Sequence, residues 1–225
     1  MSEVDAFSAL ARARTSVRGF TGQPVPDAFL HDVLVNARLA PSGANLQPGS
    51  FIQVRGAVRE ALSQAMSNAY REGSVEAEDY SYFPDPMPGH LRRRQVAAAR
   101  ALYDSIGMAR EDRAGRDQQF ERNFRFFDAP VALVVTIERG LGSGSFMDLG
   151  MALYGFLLAA QARGLASCAI GALASYPGLV RKHLGLGPES HIVCGVALGY
   201  ADEAAPVNRT RTSRIDVDSF FKVVG

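Results

Sequence analysis

The sequence predicts an α+β fold in which a small central sheet, mixed or antiparallel, is flanked by helices. Three observations carry this. The β-branched apolar runs are short and few, the clearest being "PVALVVTI" (130–137) and "HIVCGVALGYA" (191–201). Stretches with helical spacing separate them. The composition, 47% apolar and 21% charged over 225 residues, belongs to a chain able to bury a core, read here as one domain spanning 1–225.

The elements follow in order. Asp5 to Arg12 reads as a short helix, and "RTSVRGFTGQPVP" (14–26) as a turn-rich connector. Asp27, after Pro26, is expected to cap a second helix whose apolar stripe is Leu30, Val33, Leu34 and Ala37. The loop "APSGANLQPGSF" (40–51) holds two prolines and two glycines and no charge, and it leads into the strand "SFIQV". Val58 to Glu72 is helical.

Residues 73–89, "GSVEAEDYSYFPDPMPG", form an irregular excursion, long enough for a lid or binding loop. Two charged helices continue this region to residue 125: Leu91 to Ile106 and Arg110 to Arg125. After the strand at 130–137 comes a helix from Phe146 to Arg163. Its most apolar part, Leu149 to Ala160, is too short to span a bilayer and reads as a buried core helix. "LASCAIG" (165–171) is a strand, "SYPGLVRKHLG" (175–185) a short helix ended by Gly185 or Gly187, and 191–201 a buried strand. The arm, 200–225, is polar and basic, then ends on Phe220, Phe221, Val223 and Val224. Such an apolar end either folds back on its own domain or crosses to a second subunit.

Several function classes fall away. A formal net charge of +1 gives no whole-molecule attraction to nucleic acid or to an anionic membrane. Arg92, Arg93, Arg94 and Arg100 read as a solvated helix face. Two cysteines, Cys168 and Cys194, make neither a disulfide framework nor a zinc knuckle. The acidic N-terminus lacks a signal-peptide pattern, so a cytoplasmic protein is expected. His31, His90, His183 and His191 are scattered, and no metal site is predicted. "GLGSGSF" (140–146) lacks the Gly-Lys-Ser/Thr of a P-loop and breaks the dinucleotide fingerprint at Met147; it reads as a strand-to-helix turn.

What remains is a pair of arginine-and-hydroxyl clusters, "RTSVR" at Arg14, Thr15, Ser16 and Arg18, and "NRTRTSR" at Asn208, Arg209, Arg211 and Arg214. Guanidinium forks and hydroxyls suit phosphate oxygens. With "NARLAPSGANLQP", "FFDAPVALVV", "MDLGMALYGFLLAAQARGLASCAIGALASYP" and "GVALGYADEAAPVNRTR", these segments resemble the FMN-dependent nitroreductase family, on its nitrobenzoate-reductase side. They cover most of the chain in the family's order.

The resemblance implies an intertwined homodimer with two FMN sites at the subunit interface and C-terminal arms exchanged between subunits. NADH or NADPH would be the reductant, and a small electron-poor aromatic, quinone or enone the acceptor. Residue by residue, it implies phosphate and ribityl contacts from Arg14, Thr15 and Ser16, and a contact at the flavin pyrimidine edge from Arg18. Arg211 matches the phosphate-binding residue of the tail, with Arg209 second. Pro41, Ser42, Asn45 and Gln47 match the loop lent by the other subunit, with Pro41 and Pro48 holding the backbone so that Ser42, Asn45 and Gln47 turn their polar atoms inward. Asn123 and Arg125 match further ring contacts. Ile170, Gly171 and Ala172 match the backbone facing flavin N5. Tyr80, Tyr82 and Phe83 in the excursion either stack on a planar substrate or pack on the domain.

No catalytic side chain is implied, since the flavin carries the hydride. Many relatives have Trp after Gln-Pro. Here Gly49 stands in that place, so extra room or a filling neighbour is expected. The same fold also hosts dehalogenation, flavin cleavage and azoline dehydrogenation, and a non-enzymatic flavin-binding role is the remaining alternative.

Overall fold

The computed structural model describes residues 2–225. Its sheet has four strands, β1 (Ser50–Val54), β2 (Val131–Glu138), β3 (Ala166–Ile170) and β4 (Ser190–Gly199), in the order β1-β2-β4-β3. Every pairing is antiparallel, which settles the choice left open between a mixed and an antiparallel sheet. β2 and β4 are central and apolar along their length because both faces of the sheet are covered.

The period-two alternation of a strand sorts β2 between two cores. Leu133, Val135 and Ile137 face α2 (Asp27–Ala37) and α6 (Ser143–Ala162), where Leu30, Val33, Leu149 and Phe156 are buried. Ala132 and Val134 face the opposite side. There α3 (Gly56–Arg71) and α7 (Pro177–Leu184) contribute Leu62, Met66 and Val180, joined by Phe124, Phe126 and Phe127. The remaining helices, α1 (Glu3–Ala13), α4 (Gly89–Ser105), α5 (Arg113–Glu121) and α8 (Val217–Phe220), bury no residue in the chain by itself.

Three expectations need correction. Asp27 does not cap α2. Pro26 is the N-cap without a side-chain hydrogen bond, and Asp27, the first helical residue, pairs with Arg55. The helix expected to reach Arg125 stops at Glu121 and continues as a 3₁₀ segment over Arg122–Asp128. The helix expected as a buried core element is buried on one face only. α6 exposes Met147 (67%), Tyr154 (46%) and Met151 (38%), because it is apolar all round and the chain covers one side. With 20 residues and mean hydropathy 1.2, α6 is also long enough to cross a membrane by length and composition alone, yet it packs Leu149, Phe156 and Ala160 into the domain. In the single chain the uncharged loop at 40–51 is largely exposed.

Candidate functional site

The N-terminal connector runs along the outer edge of β3. The Val17 N–H donates to the Ser167 carbonyl at 3.1 Å, and Ser16 bridges Ser167 in parallel. Alternation then buries Val17 and puts Arg14, Ser16 and Arg18 on the other side. The arm passes beside them after a 3₁₀ turn, Pro206–Arg209. Together the two segments enclose a cleft of about 410 Å³ lined by Arg14, Thr15, Ser16, Arg18, Arg211 and Arg214. The sequence-predicted clusters, 190 residues apart, therefore meet. Arg209 sits in an adjoining hollow that also touches Thr15, Arg211 and Asp202.

The charge in this cleft is uncompensated. Arg18 donates to the Ser16 carbonyl at 3.2 Å, and Arg211 to the carbonyls of Asn208 and Thr210 at 2.8 and 2.9 Å. Among the described residues, none of Arg14, Arg18, Arg211 and Arg214 has a carboxylate partner. A cation cluster with only carbonyl partners is suited to a multiply charged anion.

Beneath Ser16 and Arg18 lies Cys168. Burial pushes its thiol up, against the opposing pull of Arg18, a hydrogen bond to Ser16, and Arg14, so it is not a ready nucleophile. Following it, Ile170 is buried, Gly171 and Ala172 are partly exposed, and the chain turns into a 3₁₀ segment, Gly171–Ser175. The Tyr82 ring lies against Gly171, about 3.0 Å from where a Cβ would stand. Phe83 meets Tyr82 edge-on at 4.8 Å, and both are more than half exposed. Tyr80 differs: its hydroxyl donates to the Val193 carbonyl at 2.7 Å and its ring packs on Phe146 at 5.1 Å. The two readings of the aromatic excursion thus divide, with Tyr80 packed on the domain and Tyr82 and Phe83 on an open wall. Burial raises the phenol pKa of both Tyr80 and Tyr82, so both stay neutral near pH 7.

The loop at 40–51 is elsewhere. It adjoins β1, whereas the arginine cleft adjoins β3, and with β2 and β4 between them the strands lie about 14 Å apart. Ser42 Oγ accepts from the Gln47 N–H at 2.9 Å, and Asp148 on α6 accepts from the Gly43 N–H at 3.1 Å. Ala44, Asn45 and Gln47 all have positive φ (49°, 58°, 50°), at a cost of about 1 kcal/mol each. Pro41, Asn45 and Gln47 are exposed in the single chain. Pro41, Ser42 and Gln47 do line a separate cavity of about 360 Å³ with Asp148 and Leu149. Gly49 lines the same cavity but leaves no room along its own Cβ direction. At φ +89°, a Cβ there would lie 2.7 Å from Leu149 Cδ1 and 2.8 Å from the Thr136 carbonyl. Leu149 is the neighbour that fills the place.

Asn123 and Arg125 also fall outside the arginine cleft. Asn123 donates to the Phe120 carbonyl, and Arg125 pairs with Asp128 at 3.2 Å in a hollow against α3. The guanidinium groups of Arg122 and Arg18 stand 5.9 and 6.0 Å from the centroid of the Phe127 ring. The displacement follows from the 3₁₀ segment and from the left-handed run Phe126, Phe127, Asp128 (φ 54°, 53°, 59°), which redirect side chains from where a continuous helix would put them. Asn208, Asp148 and Arg122 are the residues that sequence reasoning left without a role. Only Asn208 carried a signal, its place in the second arginine cluster.

A family model described as "Nitroreductase family" matches residues 11–200, from the N-terminal arginine turn to the end of β4. The chain belongs to that family. Among nitroreductase relatives, it is 38% identical over 217 residues to "Chloronitrobenzene nitroreductase" of Comamonas testosteroni, covering 96% of this chain and 95% of the relative. It is 35% identical to "4-nitrobenzoate reductase" of Pseudomonas putida, covering 98% and 96%. The crystal structure of "FMN and NADPH-dependent nitroreductase NfnB" from Sphigopyxis sp. strain HMH superposes with a TM-score of 0.92 at 38% identity, over 97% of this chain and 99% of that one. The nitroreductase fold is therefore that of this chain.

Proposed function

We propose that this chain is an FMN-dependent oxidoreductase that takes hydride from NADPH or NADH and reduces a nitroaromatic, with quinones or enones as further acceptors. The observation that carries this reading is the uncompensated cationic cleft beside β3, the strand that runs directly into Gly171. Relatives named for nitroarene reduction, and an FMN- and NADPH-dependent neighbour at 38% identity, support it.

The cleft suits the FMN phosphate by charge, since its arginines have no carboxylate partner among the described residues. Arg14 and Arg211, with Arg209 beside them, would hold the phosphate, and Thr15 and Ser16 the phosphate and ribityl oxygens. Arg18 would face the pyrimidine edge, and the backbone of Ile170, Gly171 and Ala172 would face N5. Bound there, FMN would supply the hydride relay between reductant and acceptor. Arg18, held by the Ser16 carbonyl, would offer a fixed positive charge to the pyrimidine edge of a flavin bound there. Tyr82 and Phe83 offer ring faces and edges to a planar acceptor. No side chain acts as nucleophile, and solvent supplies the second proton. Reductant and acceptor use the same open wall in turn, which is a ping-pong cycle.

The working unit is a homodimer. Its support is that the exposed loop residues Asn45 and Gln47 lie at the sheet edge opposite the arginine cleft, that α6 shows an uncovered apolar face, and that the arm ends on exposed Phe220 and Val224. One subunit's Pro41, Ser42, Asn45 and Gln47 would complete the flavin site of the other. The two buried free cysteines fit a reducing cytoplasm. Steady-state oxidation of NADPH and NADH, with and without 4-nitrobenzoate, tests the reading. Acceptor-dependent turnover is expected, and oxidation that no nitroarene accelerates would sink it.

A further inference from the structure

Residues 72–88 contain no helix or strand, yet one part of this excursion is held tightly. Three acids in "EAED" each meet a donor fixed elsewhere in the fold. Glu76 accepts from the N–H groups of Gly178 and Leu179 at the start of α7, at 2.6 and 3.3 Å. Glu78 accepts from Ser175 Oγ at 3.3 Å.

Asp79 is the strongest tie. Its carboxylate is 4% exposed and accepts from Arg181 Nη1 at 2.6 Å and from the Ile192 N–H at 2.9 Å, with Arg139 3.7 Å away. Arg181 is itself fixed by the Ser190 carbonyl at 3.1 Å. A charge buried this far persists only when paired and hydrogen-bonded, so the contact admits few alternative geometries.

Glu76, Glu78 and the Arg181 contact tie the excursion to one continuous piece of chain, Ser175 through α7, and Asp79 ties it also to Ile192 on β4. Next in sequence, Tyr80 hydrogen-bonds to Val193 and packs on Phe146, and Tyr82 rests on Gly171. Beyond Tyr82 the ties cease: residues 83–86 are exposed.

We propose that Asp79, through its buried pair with Arg181, is the residue that positions Tyr82 over Gly171 and thereby sets the affinity for the aromatic acceptor. The inference rests on the acceptor-wall role given above to Tyr82. Asp79 touches neither acceptor nor cofactor, so it is a positioning residue. Asp79→Asn keeps an oxygen for the Ile192 N–H but removes the charge that Arg181 needs. Arg181→Gln breaks the same pair from the other side, and serves if Asp79→Asn does not fold.

The experiment compares wild type, Asp79→Asn, Arg181→Gln, Tyr82→Ala and the Asp79→Asn/Tyr82→Ala double variant. The expected result is a KM for 4-nitrobenzoate raised on the order of tenfold in each single variant. FMN affinity and the rate of flavin reduction by NADPH stay unchanged in Asp79→Asn and Arg181→Gln. The double variant is no worse than Tyr82→Ala, since one effect acts through the other. Amide hydrogen exchange over 81–88 quickens in Asp79→Asn and Arg181→Gln, a readout independent of turnover. Unchanged KM and exchange in both pair-breaking variants, or effects that multiply in the double variant, would overturn the proposal. So would a KM rise that merely tracks lost FMN. A Tyr82→Ala enzyme with unchanged KM would overturn the acceptor-wall role and this inference with it, while leaving FMN binding and nitroreduction standing.

Discussion

Asn208 holds the backbone of Arg18 from across the chain. Its Oδ1 accepts from the N–H groups of Arg18 and Gly19 at 2.9 and 3.0 Å, while its Nδ2 donates to the carbonyls of Gly19 and Asp202 at 2.7 and 2.9 Å. Both donors and both acceptor sites of the amide are used. The N-terminal turn and the C-terminal arm, which supply the two arginine clusters, are thereby locked at one point. Gly19 is part of the lock: a Cβ there would lie 2.6 Å from Ala205 Cβ.

Replacing Asn208 by Ala strands two N–H groups and loosens both sides of the cleft. The expected cost is about 1–3 kcal/mol of stability by urea unfolding. FMN dissociation, followed by recovery of free-flavin fluorescence, should rise on the order of tenfold. A variant that loses stability but keeps its FMN affinity would show that Asn208 braces the fold and not the site.

Gly49→Ala should be destabilising by about 1–3 kcal/mol, because the added methyl meets Leu149 and the Thr136 carbonyl at a left-handed φ of +89°. Equilibrium unfolding checks it. A neutral substitution would mean that the loop at 40–51 relaxes freely, and would remove the reason for glycine where relatives carry a large aromatic.

Alkaline stability reports on the two buried thiols. Burial pushes Cys194 up to about 12 and raises Cys168 as well. In the unfolded chain a thiol ionises near pH 8.5, so both contribute stability fully below that pH. The contribution is lost as pH rises toward the folded-state value, by about 1.4 kcal/mol per pH unit per thiol. Unfolding free energies measured from pH 7 to 10 should fall, and Cys194→Ala should make the fall shallower. The same slope in wild type and variant would contradict the assignment.

Much of this fold was legible because its signals are local. β2 and β4 announce themselves as continuous β-branched runs, since both of their faces are covered. Gly185, with φ +65°, ends α7 as a left-handed C-cap glycine should. α6 misled because its sequence records apolarity and not what covers it. In the site, "RTSVR" and "NRTR" were unspecific singly, since arginine-rich turns are usually solvated, and gained meaning only together with the uncharged loop at 40–51.

Arg122 was hidden by the left-handed turn at Phe126–Asp128. It contains no glycine and so leaves no mark, yet it places Phe127, the ring that both Arg18 and Arg122 approach. Asp148 was hidden as a single acid in an apolar helix; only the folded loop reveals the Gly43 N–H that it accepts. The acids at 76–79 looked like solvated charge, and the donors that make them ties lie about a hundred residues away.

Arg18→Glu reverses the sign of the charge at the proposed pyrimidine edge. Reduction of bound flavin by NADPH, followed by stopped flow, should slow by about 10²-fold. Unchanged reduction kinetics would refute the role given to Arg18.

The central claim is that the cleft between Arg14–Arg18 and Arg211 holds FMN and that NADPH or NADH reduces it. The absorption spectrum of the purified protein, followed by anaerobic titration with each nucleotide, tests this directly. A yellow protein binding one FMN per chain, bleached by NADPH or NADH and recoloured by 4-nitrobenzoate, is the predicted result. A colourless protein that takes up no added FMN, or a bound flavin that neither nucleotide bleaches, would contradict it.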